Sequence, residues 1–289
     1  MSTNGIKVYL DFNIYEHLIC KGIPAEVLKV KDLHYFLSVA HVEELFNMAK
    51  NDVNNQYEEN IKRKKQIMLE LSDCGVLNPS INKGVELRQE ALDDALERVR
   101  KNDTTGIVAD HGKHGRDYFK SKTDKLREED KNAINYSNLS SHDIWNIDAV
   151  QERIRAFDDN KKLYYAITTE QLRQVYGNRA AGLAQPITST LNKGCYPQIK
   201  DKYNDFEYII EYLFNTLEGC GYCSNKDIRT SVSGIYDTAH SIYASYCDIL
   251  VSNDKRFRKK ADAVYYYLGI QTKVLSFDEF NTEYLKLQL

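Results

Sequence analysis

Apolar and polar positions divide this chain into two strand-bearing ends and a long helical middle. Ile6-Lys7-Val8-Tyr9-Leu10 is a strand with apolar residues on both faces, and it runs straight into Asp11-Phe12-Asn13. Phe12 to Cys20 reads as a short helix, and Ile23 to Val30 as another with Pro24 at its first turn. Tyr35 to Ala40 reads as a second strand, leading into a helix that starts at His41-Val42-Glu43-Glu44-Leu45. Toward the other end, Ser233 to Phe257 reads as an amphipathic helix, a strand and a turn that opens a further helix. Asp237 falls in the first turn of that amphipathic helix, with Ile242, Tyr243 and Tyr246 recurring below it. The strand is Ile249-Leu250-Val251, and Ser252-Asn253-Asp254 caps the next helix.

Between the ends the helical period dominates. Tyr57 to Leu71 is a helix carrying Lys62-Arg63-Lys64-Lys65, and Gly75 and Asn78-Pro79 interrupt the chain after it. Glu86 to Arg100 carries one apolar stripe of Leu87, Ala91, Ala95, Leu96 and Val99. Asp103 to Arg116 reads as a glycine-rich loop, and Asp117 to Asn135 is polar almost all round. Helices come next over Ser141 to Phe157, which holds the single tryptophan, Trp145, and over Thr168 to Tyr176. Gly177 to Pro197 reads as irregular, and Asp205 to Leu217 as a helix. The expected architecture is α/β: a small parallel-sheet core built from residues 1–50 and 198–289, with residues 51–197 a helical insertion serving as lid, clamp or interaction region.

Composition narrows the setting. A net charge of −3 and a pI near 6.2 provide no global field to draw the chain onto nucleic acid or membrane, so a polyanionic substrate needs a local basic surface. No apolar run approaches the length of a bilayer span and no signal-peptide pattern precedes the first strand, which predicts a soluble, cytoplasmic protein with no membrane partner. Six cysteines lack disulfide-like spacing. Cys220-Gly221-Tyr222-Cys223 has no second pair at zinc spacing, so it reads as a turn with two buried or free thiols.

The candidate chemistry lies in the acids. In open α/β sheets, sites form at the carboxyl ends of strands. Asp11 and Asp254 follow strands directly, Glu44 opens a helix after one, and Asp237 projects from a helix. Glu43 and Glu44 lie about 100° apart on a helix, so one of them faces the crevice. Four carboxylates on one crevice repel one another unless a cation lies between them, and hard oxygen donors select Mg²⁺ or Mn²⁺. Each acid also has a plainer role available: Asp11 and Asp254 as helix caps, Glu43 and Glu44 as solvated side chains. His240 shares a helix face with Asp237, either beside the site or packed beneath it.

At these residues the chain resembles the PIN-like nucleases, relatives of the flap-endonuclease superfamily. VYLDFNIYEHL resembles the family's opening strand with its aspartate and following asparagine. SVAHVEEL resembles the strand and helix start carrying the glutamate, for which Glu44 fits better than Glu43. YDTAHSIYA resembles the helix of the third acid, LVSNDKRF the strand-end motif of the fourth, and GIQTKVLSFDEF the closing strand. The resemblance covers roughly the first fifty and last sixty residues. It implies metal-dependent phosphodiester hydrolysis, with Asp11, Glu44, Asp237 and Asp254 holding Mg²⁺ or Mn²⁺ ions. Asn13, His240, Ser252 and Asn253 would support them, and Arg256, Arg258 and Lys259 would contact a nucleic-acid backbone. By analogy the substrate is RNA and the setting that of a toxin or defence effector, restrained by a protein regulator or by self-association through the insertion. The rival expectation is a catalytically degenerate scaffold acting as a protein-interaction module.

Overall fold

The computed structural model describes residues 5–52, 54–72, 75–80, 83–101, 135–176, 185–224 and 228–287. The expected loop at 103–116 and polar stretch at 117–134 lie outside the described residues, as does 177–184 of the expected irregular stretch.

Strand β1 (Ile6–Leu10) lies in the middle of the sheet because it is apolar on both sides. Val8 and Leu10 enter one core and Tyr9 the other. It pairs in parallel with β2 (Leu33–Ser38), Val8 opposite Tyr35, and with β5 (Ile249–Val251), Leu10 opposite Val251. β3 (Val76–Ser80) joins β2 in parallel, β6 (Lys273–Leu275) joins β5 in parallel, and β4 (Gly84–Arg88) closes the far edge antiparallel to β3. Among the described residues the sheet order is β4-β3-β2-β1-β5-β6, a mixed but mostly parallel six-stranded sheet covered by helices on both faces. The α/β expectation holds at this level.

Helix α1 (Phe12–Lys21) starts on Asp11 and stops at Gly22, whose φ of +64° suits a residue without Cβ. Together with α2 (Val39–Asn51), α3 (Glu58–Leu71) and α4 (Leu92–Lys101), it packs on the face of Val8 and Leu10. The helices Asp148–Arg155, Tyr203–Gly219, Ile228–Ala244 and Lys255–Leu268 cover the other face, where Trp145 donates its Nε1–H to the Ala263 carbonyl at 3.0 Å.

Several boundaries differ from the sequence expectation. The stretch 51–197 is not wholly helical, because Val76–Ser80 and Gly84–Arg88 form a hairpin that extends the main sheet. Val85-Glu86-Leu87-Arg88 alternates at period 2, and pairing with β3 satisfies its backbone better than one further turn on α4 would. Gly84 has φ +68°, and a Cβ there would lie 1.6 Å from the Lys200 carbonyl oxygen, so the start of β4 packs against residue 200 only as glycine. Ile23 to Val30 shortens to a 3₁₀ turn at Ala25–Leu28, and the stretch from Ser141 becomes a 3₁₀ turn, Asp143–Asn146, followed by Asp148–Arg155. The helix carrying Asp237 begins at Ile228, so Asp237 lies in its middle and not in its first turn.

Candidate active site

The chain leaves β1 toward β2 on one side, whereas the strand on its other side, β5, continues to β6. The carboxyl ends of β1 and β5 therefore flank a topological switch point, where loops diverge and a crevice opens. Asp11 follows β1 and Ser252-Asn253-Asp254 follows β5, so both expected strand-end acids border it. The registry is tight: the Asp11 N–H donates to the Val251 carbonyl at 2.8 Å.

Asp11 is buried and held by four donors or charges. Its Oδ1 accepts the Phe12 N–H at 2.7 Å, which caps α1. Its Oδ2 accepts the Ser252 hydroxyl at 2.6 Å and an amide N–H of Asn13. His240 Nε2 stands 3.8 Å from Oδ1. Asn13 also bridges the two strand ends, donating to Ser252 Oγ at 3.1 Å and accepting the Asn253 N–H at 3.1 Å. Asn253 in turn accepts the Phe277 N–H at 3.1 Å, and Ser252 Oγ accepts the Asp254 N–H at 3.1 Å. Asn13, Ser252 and Asn253 thus form a clasp that fixes Asp11 and Asp254 relative to each other.

Asp254 does cap the helix Lys255–Leu268, accepting the N–H groups of Arg256 at 2.7 Å and Phe257 at 3.0 Å. Both bonds fall on Oδ1, so the capping role leaves Oδ2 outside the cap. Glu44, on α2, is half-buried and meets His240 Nε2 through Oε2 at 2.7 Å, whereas Glu43 is exposed. The geometry places Glu44, of the two, at the crevice. Asp237 is half-buried. Burial pushes its carboxyl up to about 7, the Lys260 cation opposes the shift, and the Asp11 and Asp254 charges add to it.

His240 is fully buried under these acids. Burial disfavours its charged form, but the Glu44 carboxylate, with Asp11 and Asp237 beyond, outweighs burial and holds the imidazole above its usual range. Its other nitrogen, Nδ1, hydrogen-bonds the Tyr9 hydroxyl at 2.7 Å, and that hydroxyl hydrogen-bonds Ser38 Oγ at 2.7 Å. Ser38 reaches His41: its N–H donates to Nδ1 at 3.0 Å, which makes Nδ1 an acceptor and leaves the proton on Nε2, donated to the Leu10 carbonyl at 2.7 Å. Burial and the neighbouring His240 push His41 well below the usual histidine range. A buried polar chain therefore runs from Glu44 through His240, Tyr9 and Ser38 to His41 and the end of β1.

The basic residues divide. Arg258 donates to the Ser252 carbonyl at 2.6 Å and Lys259 to the Ser137 carbonyl at 2.6 Å, so both brace the main chain, while Arg256 is exposed beside Asp254. Lys260 is buried, with Nζ 3.0 Å from Glu218 Oε2. Cys220 and Cys223 are buried and outside any disulfide, and Tyr265 and Tyr267 are core residues.

Sequence reading missed Tyr9, Ser38 and His41, and the inward position of Lys260. Tyr9 was legible in principle, since a tyrosine inside a central strand brings a hydroxyl that needs a buried partner. Lys260 stands beside four other basic residues at 255–259, and nothing in that run marks the one whose helix face turns inward.

Among the described residues, no three Asp, Glu, His or Cys side chains are gathered closely enough to enclose a metal ion. The donor chemistry still fits a hard divalent cation. The carboxylates border one crevice, and the Asp237 carboxyl is raised first by burial, against the Lys260 cation, and further by the Asp11 and Asp254 charges, so a cation among these oxygens would be favoured. No helix among the described residues is long and apolar enough to cross a membrane. No family model, no curated protein and no solved structure matches this chain.

Proposed function

We propose that this protein is a PIN-like, metal-dependent nuclease that hydrolyses phosphodiester bonds, with RNA as its substrate. The observation that carries the reading is the position of four acids, Asp11, Glu44, Asp237 and Asp254, around the switch-point crevice between β1 and β5. The resemblance of the motifs around those acids to PIN-like nucleases supports it.

In this reading Asp11, Asp237 and Asp254 hold Mg²⁺ or Mn²⁺, with Glu44 completing the acid set. The ion, when bound, supplies a lowered pKa for a coordinated water and neutralises charge on the scissile phosphate. The Asn13–Ser252–Asn253 clasp keeps Asp11 and Asp254 at a fixed separation, so neither carboxylate has to be ordered during catalysis. His240 orients Glu44 through the 2.7 Å bond, and the surrounding carboxylates favour its charged form, which offsets their repulsion. Exposed Arg256 is the basic residue best placed to meet the nucleic-acid backbone. The setting of a restrained toxin or defence effector in the cytoplasm belongs to the same proposal.

A second reading, a scaffold without catalysis that binds a protein partner, has one observation in its favour: the acids among the described residues do not enclose an ion site as they stand. The deciding experiment is cleavage of labelled single-stranded RNA and DNA with Mn²⁺, Mg²⁺ or EDTA by the native protein and by Asp237→Asn. Metal-dependent cutting lost in the variant supports the nuclease. No cutting, combined with no rise in Tm on adding Mn²⁺, removes the metal site and favours the scaffold.

A further inference from the structure

A groove of about 380 Å³ opens directly beside the acids, within the range of roughly 300–1,000 Å³ typical of small-molecule sites. It adjoins the crevice at two places. Glu44 forms part of its wall, and so does Phe12, whose N–H is bound to Asp11. Its other walls are mostly flat and apolar: Tyr57, Tyr236 and Met48, with the amides of Asn47 and Asn51. No lysine or arginine among the described residues lines it, and two carboxylates, Glu44 and Asp52, do. Lys64 lies behind the Phe12 and Met48 walls, its Nζ 4.6 Å over the Phe12 ring and paired with Glu16 at 2.8 Å. The groove surface itself therefore presents carboxylate charge and accommodates an uncharged, planar, hydrogen-bonding ring better than a phosphate.

The aromatic walls are fixed by hydrogen bonds. Asn47 Nδ2 donates to the Tyr236 hydroxyl at 2.6 Å. The Asp52 carboxylate accepts the N–H groups of Gln56 at 2.7 Å and Tyr57 at 2.8 Å, which closes the turn that presents Tyr57. Tyr57 is nonetheless 58% exposed, an unusual state for a large ring held at the mouth of an apolar groove.

We propose that this groove is a nucleobase subsite, in which an unpaired base stacks on Tyr57 while its phosphate remains outside, at the acids. The inference rests on the nuclease reading for its substrate class and adds to it that the strand must be single, because a base in a duplex is already stacked and paired. Phosphate exclusion by the groove and the shared wall at Glu44 together orient the nucleotide, base inward and backbone toward Asp11.

The test is binding of a fluorescein-labelled single-stranded RNA 10-mer, and of the same strand with abasic sites throughout, followed by anisotropy with Ca²⁺ in place of Mg²⁺ or Mn²⁺, so that the acids are neutralised and cleavage is suppressed. Loss of one stacked base costs about 1–3 kcal/mol, so Tyr57→Ala should weaken binding of the RNA roughly 5- to 150-fold, Tyr57→Phe should restore it, and the abasic strand should be indifferent to both. Circular dichroism of Tyr57→Ala checks that the fold is retained, which its exposure predicts. Equal affinity of native protein and Tyr57→Ala, or equal binding of the two strands, overturns the subsite. Because this readout needs no catalysis, a Tyr57-dependent preference for the base-bearing strand upholds the subsite even if cleavage never appears. Cleavage without that preference upholds the nuclease alone and overturns the subsite.

Discussion

Glu44 and His240, 196 positions apart in the chain, meet at 2.7 Å through Oε2 and Nε2, with the histidine wholly buried and the carboxylate half-buried. This contact joins the two helices that carry the second and third acids, and it sets the imidazole among Asp11, Glu44 and Asp237, whose charges favour its protonated form. Removing either partner leaves a buried group uncompensated, which costs far more than the net value of the pair.

The first consequence is a titration. The folded pKa of His240 lies above its ordinary value, so its contribution to stability is fully present below about pH 6.5 and is lost as pH rises through the folded value. Glu44→Gln removes the charge that outweighs burial, and the His240 ring should then titrate at lower pH in NMR spectra of the imidazole protons. An unchanged titration would show that Glu44 does not set it.

Asp237 titrates with the same sign but from a different cause, burial and not an ion pair. Its folded pKa, about 7, lies above that of the unfolded chain, so the folded state binds the extra proton and stability falls as pH rises from about 4 to 7. The loss is at most about 1.4 kcal/mol per pH unit. Without added metal, Asp237→Asn should therefore melt higher than the native protein at pH 7.5 and close to it at pH 4.5. Parallel melting curves across that range would contradict the desolvated acid. Mn²⁺ should raise the Tm of the native protein more at pH 7.5 than at pH 5, where protons compete for the carboxylates, and should do little for the variant.

Ser252→Ala removes the donor to Asp11 Oδ2 and the acceptor of the Asp254 N–H in one step. Asp11 Oδ2 keeps the Asn13 donor, so the expected cost is about 1 kcal/mol, read as a lower urea midpoint with an unchanged m value. Because the clasp also fixes the two strand-end acids, cleavage should fall further than stability alone accounts for, and activity retained in full would deny the clasp a role in positioning.

Tyr9→Phe tests the buried chain beneath the site. The hydroxyl is the only group the substitution removes, yet both Ser38 Oγ and His240 Nδ1 lose a partner at 2.7 Å. Destabilisation of about 1–3 kcal/mol is expected in urea. A loss well below the ~1 kcal/mol floor of that range would mean that Ser38 and His240 find other partners. Tyr265→Phe is the informative comparison, since its hydroxyl binds a main-chain carbonyl of Ser241 and touches neither histidine.

What the sequence discloses depends on how local the cause is. Ile6–Leu10 and Ile249–Val251 are short apolar runs ended by polar residues, and any strand so bounded puts those residues at the sheet edge, so Asp11, Ser252 and Asp254 were legible. The choice between Glu43 and Glu44 was not, because it depends on which face of α2 meets a helix nearly two hundred residues later. The hairpin Val76–Arg88 was hidden by Pro79 and by charged residues that also suit a helix; its pairing is decided by β2, not by its own composition. Arg258 and Lys259 show the same limit, since a basic run does not say which members turn back onto main-chain carbonyls.

The position of β5 beside β1 has a consequence in time. Val8 pairs with Ile249, so the central strand of the sheet waits for a neighbour that is made some 240 residues later. At a synthesis rate of about 5–20 residues per second, a growing chain spends roughly 10–50 s with Asp11 already made and Asp254 not yet made. During that interval Ser252 and Asn253 are missing from the clasp, and Asp237 and His240 join only near its end. A nascent chain is thus incapable of assembling the crevice until residues around Asp254 have been made, so Asp11 waits unclasped through most of that interval.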